Sequence, residues 1–256
     1  MDPRIALAGF IVGTITGLSG IGGSSLLAPV LILLLGVKPT MAVGTDLMYS
    51  VPTKLLAAFV HARQKTVDGR LTASLALGGV PGSLAGLAVF GVLRAHVAAA
   101  TLQHVVRVAI GIAILGACVT MIALYALQRR ERTAAAPRSE PPRWRAGAIG
   151  FTVGVLVAIT SIGSGSVTLP LLLLAVPSLG IKRLIGSEIA FAAIIVPIAA
   201  AGHTGFGDVD WHITASLLAG SLPGVYLGSR LCTKIDERPL RAVILVILAY
   251  AAYRLL

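Results

Sequence analysis

Apolar runs at 5–18, 24–36, 40–60, 71–93, 97–127, 146–160, 165–181, 184–202, 211–229 and 239–253 follow one another along the chain. This succession constrains the fold more than any other feature. Several runs reach the ~20 residues that a bilayer-crossing helix needs. The runs are continuous rather than alternating, which excludes a β-barrel and leaves helices as the only spanning structure. Charged residues make up 12% of the 256, about half the roughly 25% of a soluble domain. That excludes disorder and argues against a soluble enzyme. The net charge of +11 does not point to nucleic acid, because the basic residues sit in short connections with few aromatics among them. Cys118 and Cys232 stand alone in apolar stretches, so neither a disulfide framework nor a metal site is expected.

The chain also repeats itself. Residues 9–33 align without gaps on 150–174, and 43–86 on 185–228. Gly22, Ser25 and Pro29 match Gly163, Ser166 and Pro170. Gly44-Thr45-Asp46 matches Gly186-Ser187-Glu188, His61 matches His203, and Val67-Asp68 matches Val209-Asp210. Thr72 to Leu75 recurs as Thr214 to Leu217, and Pro81-Gly82 with Gly86 as Pro223-Gly224 with Gly228. Internal duplication of this kind is common in secondary transporters. The first repeat begins near residue 5, so the apolar N-terminus is read as structural rather than as a cleaved signal. Residues 128–145, rich in arginine and proline, read as a basic linker between an N-terminal repeat, 1–127, and a C-terminal repeat, 146–256.

Basic residues decide how many elements cross. If each half breaks at its Gly/Ser stretch, ten elements result. Fifteen Lys/Arg then fall on one side: Arg63, Lys65, Arg70, six linker arginines, Lys182, Arg183, Arg230, Lys234, Arg238 and Arg241. Only Arg4, Lys38, Arg94 and Arg254 fall on the other. An unbroken first run gives no such bias. Five elements per half is odd, so the repeats are expected to be inverted, with the linker cytoplasmic and both termini outside. The expected fold is an all-α polytopic membrane protein of two inverted repeats. The first two elements of each half are short, and are expected to be broken or re-entrant helices near the midplane.

Three constellations carry chemistry. The first is the doubled Gly/Ser segment, with Gly22, Gly23, Ser24 and Ser25 in one half and Gly163, Ser164, Gly165 and Ser166 in the other. Glycines permit a sharp turn, and a helix starting at about Ser24 or Gly165 offers free N–H groups and a positive dipole end to an anion. Close packing of membrane helices through small residues is the plainer alternative. The second is a polar stripe, Asp46, Ser50, Lys54 and His61, near one helical face. A charge at the bilayer centre costs about 2.5–3.5 kcal/mol on insertion scales, so it faces the bundle. Lys54 reads as the countercharge for an anion, and Asp46 as its resting partner or a proton carrier, although two turns separate them; Glu188, the counterpart of Asp46, reads as a second proton carrier. The bland alternative puts Asp46 at a helix start and lets Lys54 snorkel. Val196 and Pro197 stand where a second lysine would be, so the site is asymmetric. Third, His61 and His203 lie at equivalent helix ends. Neutral histidine can relay protons, although a histidine at an interface needs no such role. Asp68 and Asp210 read as helix caps.

At these residues the chain resembles the sulfite exporter TauE/SafE family of membrane permeases, over essentially its whole length. The resemblance rests on the order and duplication of the Gly/Ser segments before Pro29 and Pro170, the Gly-Thr/Ser elements, the Val-Asp helix starts and the Pro-Gly-x-x-x-Gly patterns. It implies transport of sulfur-containing anions such as sulfite, thiosulfate and sulfonates. Family members often carry a small hydroxyl residue where this chain has Asp46 and Glu188, a departure that suggests a proton-coupled variant.

The expected function is therefore a secondary transporter in the plasma membrane, moving a small, sulfur-containing anion by alternating access. Its partners are the anion and the lipid bilayer, with no nucleic acid and no cofactor. A channel or passive subunit of a larger complex is the alternative. An intramembrane hydrolase using a serine of the 163–166 segment with His203 is the least favoured, because catalysis rarely needs two copies of its motif.

Overall fold

The computed structural model describes residues 2–19, 24–130, 143–176, 179–231 and 237–256. These form ten helices: α1 (Pro3–Ser19), α2 (Ser24–Leu33), α3 (Pro39–Arg63), α4 (Gly69–His96), α5 (Ala99–Arg130), α6 (Arg143–Thr160), α7 (Thr168–Ala175), α8 (Ile181–Gly205), α9 (Trp211–Leu231) and α10 (Glu237–Leu255). No strand occurs among the described residues. Each helix falls on one of the ten apolar runs. Three segments, Gly69–His96, Ala99–Ile122 and Lys182–Gly205, are long and apolar enough to cross a membrane. By contrast α2 and α7, at 10 and 8 residues, are only about 15 and 12 Å long at 1.5 Å per residue, too short to cross the ~30 Å hydrocarbon core alone. Helix covers both ends of the stretch read as a linker: α5 runs on to Arg130 and α6 begins at Arg143. Its centre, 131–142, lies outside the described residues.

Each half lends its first helix to the other half. α1 packs on α9, α4 on α6, and α3 on α8. Backbones touch at these seams, and equivalent glycines make equivalent contacts. A methyl group on Gly78 would collide with the carbonyl of Gly147, and one on Gly220 with the carbonyl of Ala6. Two hydrogen bonds are reciprocal as well. The Asp68 N–H donates to Ser187 Oγ at 2.8 Å, and the Asp210 N–H to Thr45 Oγ1 at 3.1 Å. Both aspartates cap the next helix as their position suggests. Asp68 accepts from the N–H groups of Arg70 and Leu71, and Asp210 from that of Ile213.

The core is aliphatic, with Leu27, Leu31, Leu47, Phe191 and Ile195 fully buried. Leu7, Leu77, Val119, Leu222 and Tyr253 are exposed on the outer faces of their helices. Spread over water, such a surface is an aggregation hazard; against acyl chains it is simply solvated. Arg107 is exposed and donates to the Arg254 carbonyl at 2.7 Å, closing the end of α10.

Candidate functional site: a buried lysine between two halves

The site forms where α6 ends. Thr160 is the last helical residue, and α7 begins only at Thr168, three residues later than the Gly165 start read from the sequence. Between them the backbone bends through positive φ at Ser161 (62°), Gly163 (131°) and Gly165 (129°). Glycine tolerates this; for Ser161 it costs about 1–2 kcal/mol. Side-chain hydroxyls close the break. Ile162 N–H donates to Thr160 Oγ1 at 3.2 Å, and Thr168 Oγ1 donates to the Gly163 carbonyl at 2.7 Å.

Against this break lies α3. Asp46 is completely buried, and its Oδ2 accepts from Ser161 Oγ at 2.7 Å. The strained residue is thus the one that holds the carboxylate. Asp46 Oδ1 has no hydrogen-bond partner. The helix starts seven residues earlier, so Asp46 is not a helix-start residue. Ser50, one turn on, is also buried.

Lys54 does not snorkel. Its side chain is 12% exposed, and Nζ donates to the Ser164 carbonyl at 3.1 Å. It lies 3.9 Å from Oε1 of Glu188, whose side chain is 6% exposed. The carboxylate Lys54 meets is therefore Glu188 on α8, from the other half, and not Asp46 on its own helix. Glu188 Oε1 accepts no hydrogen bond. Two buried carboxylates and one ammonium share the site with an unwound stretch of backbone.

The cradle of N–H groups read into Gly163, Ser164, Gly165 and Ser166 takes a different form. The N–H groups of Gly165 and Thr168 both turn back onto the Gly163 carbonyl, at 2.9 and 3.1 Å. The contacts outward come from carbonyls: Ser164 O meets Lys54, and Ser166 O accepts from Thr120 Oγ1 on α5 at 3.1 Å. Ser164 lies in the turn between α6 and α7, and Lys54 takes its carbonyl. In the first half, Gly22 and Gly23 lie outside the described residues. Ser24 opens α2, its side chain outside the description, and Ser25 is buried beside it.

The two histidines lie away from Lys54. His61 is half-buried near the end of α3, with Nδ1 2.8 Å from Thr66 Oγ1. His203 is completely buried, with Nε2 2.8 Å from the Ala158 carbonyl and Nδ1 3.8 Å from Asp208 Oδ2. Neither ring nitrogen of His203 faces a serine, so the pairing a hydrolase needs is not made. Asp208 also accepts from Arg94 Nη1 at 2.6 Å. Burial alone raises an acid's pKa, but the hydrogen-bonded Arg94 guanidinium, with the His203 ring nearby, outweighs it and holds the Asp208 carboxyl below its ordinary value.

Ser161, Arg94 and Asp208 escape a reading by sequence. Ser161 sits inside the quoted Gly/Ser segment, and its partner on α3 is invisible from spacing. Asp208 does carry a signal, since its counterpart in the first half is the neutral Thr66.

The profile of the family described as Sulfite exporter TauE/SafE matches residues 5–255. The "Probable membrane transporter protein YjnA" of Bacillus subtilis (strain 168) is 35% identical over 269 residues, covering 100% of both chains. The "Probable membrane transporter protein YdhB" of the same strain is 27% identical over 256 residues, covering 98% of this chain and 99% of its own. A "Probable membrane transporter protein" of Xylella fastidiosa (strain 9a5c) is 27% identical, covering 96% and 92%. No solved structure matches the chain.

Proposed function

The chain belongs to the sulfite exporter TauE/SafE family of membrane proteins, and from that membership we propose that it is a secondary transporter for a small, sulfur-containing anion in the plasma membrane. The observation that carries this reading is Lys54, an ammonium held inside the bundle by one carboxylate and one backbone carbonyl. A sulfite, thiosulfate or sulfonate oxygen makes the same contact that Glu188 makes. The anion loads by displacing Glu188 from Lys54.

Displacement has a consequence for charge. A carboxylate left without its ammonium in a dry site is neutralised by a proton rather than left charged. Binding the anion therefore draws in a proton at Glu188, with Asp46, tied to Ser161, as the second carrier. This supports proton-coupled transport, with substrate and proton sharing one site.

Both carboxylates are buried and the Lys54 side chain is only 12% exposed, so loading needs a movement, as alternating access supplies. The reciprocal seams and the paired Asp68–Ser187 and Asp210–Thr45 bonds support two inverted halves moving against each other. The fifteen-to-four bias of basic residues supports a cytoplasmic linker and both termini outside.

The test is thermal stability of the purified protein in detergent with sulfite, thiosulfate, sulfate, a sulfonate, acetate or chloride at matched ionic strength. A ligand at 100 times its Kd stabilises by about 2.7 kcal/mol. One sulfur anion is expected to raise the melting temperature of wild type and to leave Lys54→Ala unmoved. A shift with acetate alone discards the sulfur substrate; an equal shift in Lys54→Ala removes Lys54 from the site.

A further inference from the structure

A second buried titratable cluster lies apart from Lys54, where the α8–α9 loop meets α3, α4 and α6. At its centre is His203, in a cluster of three rings with Phe90 and Phe206, whose centroids lie 4.6 and 6.0 Å from its own. Its Nε2 is 2.8 Å from the Ala158 carbonyl. A carbonyl only accepts, so Nε2 carries the hydrogen. Nδ1 of the neutral ring is then a bare lone pair. It is completely buried, without a hydrogen-bond partner, and the nearest polar atom the structure gives it is Asp208 Oδ2, 3.8 Å away. Two acceptors face each other there. A proton on Nδ1 turns the pair into donor and acceptor.

Asp208 reaches outward as well. Its Oδ2 accepts from Arg94, whose side chain is 40% exposed. Arg94 thus ties the carboxylate beside the buried lone pair to the protein surface. The loop that carries Asp208 is seated on α3 immediately before Asp46. Gly44 leaves no room for a methyl group under the Asp208 carbonyl, and the Asp210 N–H donates to Thr45 Oγ1. Among the described residues, the charged groups in contact with this cluster are Arg94 of α4 and Asp208 of the loop, while α3 contributes the neutral Gly44 and Thr45. From α6 the contact is the neutral Ala158 carbonyl.

We propose that His203 Nδ1 is a proton-binding site loaded through Asp208, and that Arg94 competes with the bound proton for the Asp208 carboxylate. With His203 neutral, Asp208 belongs to Arg94. With His203 protonated, Asp208 is shared, and the loop over α3 is drawn toward α8. The proton binding stands by itself; only its consequence, a pH-dependent transport rate, rests on the transporter reading.

The test is solid-state nitrogen NMR of the full chain, labelled at histidine and reconstituted in liposomes. His203→Gln identifies the His203 signals. At pH 8 they are expected to show hydrogen on Nε2 and a bare Nδ1, and to change to the doubly protonated ring by pH 5, the range in which histidine serves as a switch. Asp208→Asn is expected to move the midpoint to lower pH, because the protonated ring loses the carboxylate beside it. Arg94→Gln is expected to move it the other way. A merely structural role gives no such opposed pair. A neutral ring with hydrogen on Nδ1, no protonation down to pH 5, or shifts of the same sign in both variants would each overturn the proposal. If either variant fails to fold, the wild-type spectra alone decide between these outcomes. The pH profile of anion uptake is expected to follow the NMR midpoint in each variant, and an unmoved profile overturns the link to transport. Lys54→Ala is expected to lose uptake and to keep the His203 titration, so failure of either idea shows separately.

Discussion

His61 and His203 occupy the same position in the two halves, yet their rings meet different partners. His61 Nδ1 lies 2.8 Å from the Thr66 hydroxyl, which also reaches the His61 carbonyl at 3.0 Å. In the second half Asp208 replaces Thr66, a carbonyl takes Nε2, and Nδ1 is left bare. Lys54 tells the same story. Its counterpart is Val196, buried in the aliphatic core, while the matched acids Asp46 and Glu188 are both retained. The scaffold is thus reciprocal down to single hydrogen bonds, and the chemistry is not. Duplication supplies a symmetric frame, and a few substitutions in each copy divide charge and proton binding between the halves.

The sharpest way to break this comparison is at Lys54. Lys54→Ala strands Glu188 and Asp46, and losing one partner of a buried charged pair costs about 2–5 kcal/mol. Uptake by proteoliposomes is expected to fall at least about 100-fold, while Val196→Ala keeps it within about two-fold. Equal losses in both would show that burial rather than charge governs the site.

The reciprocal frame is tested next, at its seams. Gly78→Val and Gly220→Val both drive a side chain into a carbonyl of the facing helix. Overpacking costs about 1–3 kcal/mol or more, so both variants are expected to lose several degrees of melting temperature by similar amounts. If one seam tolerates valine and the other does not, the halves are not mechanically equivalent.

A smaller effect separates Asp208 from Thr66. The Asp208 carboxyl is held below its ordinary value of 3.8. A depressed acid contributes stability fully above that ordinary value and loses it as pH falls through the lower folded value. Its own ionisation therefore contributes fully down to about pH 4 and is lost only as pH falls further, through the lower folded value. In melting curves against pH, Asp208→Asn is expected to flatten the acid limb, and Thr66→Val to leave it unchanged.

The smallest expected effect comes from the paired hydrogen bonds. Thr45→Val and Ser187→Ala each remove one acceptor from a loop N–H, worth about 0.5–1.5 kcal/mol. Their losses in denaturant unfolding are expected to match within a few tenths of that range; a clear mismatch marks the weaker half-interface.

Much of the frame was legible in the residues. Each helix lies on an apolar run because a chain in hydrocarbon must satisfy its backbone within itself, and the run lengths say where that is possible. The breaks before α2 and α7 were visible as glycine and serine, and the caps at Asp68 and Asp210 as local motifs. The start of α7 was placed too early. Gly163 and Gly165 turn the chain back on itself, and the helix waits until Thr168 bonds to the Gly163 carbonyl.

The site was legible only in its ingredients. Asp46, Lys54, Glu188 and the 163–166 segment stand out singly, because charge and irregular backbone are costly in lipid. Their partners do not. Spacing along α3 says which residues share a face and nothing about which helix lies opposite, so the one partner it offered Lys54 was Asp46, two turns away. The fold instead brings up α8 and the end of α6, giving Lys54 to Glu188 and Ser164, and Asp46 to Ser161. Asp208 and Arg94 gained their roles in the same way, across 114 residues of chain. The sequence alone determined the medium, the helices and the duplication, since these follow from hydrophobicity and local backbone chemistry. Tertiary structure alone decided which charges meet, because that depends on packing between segments far apart in the chain.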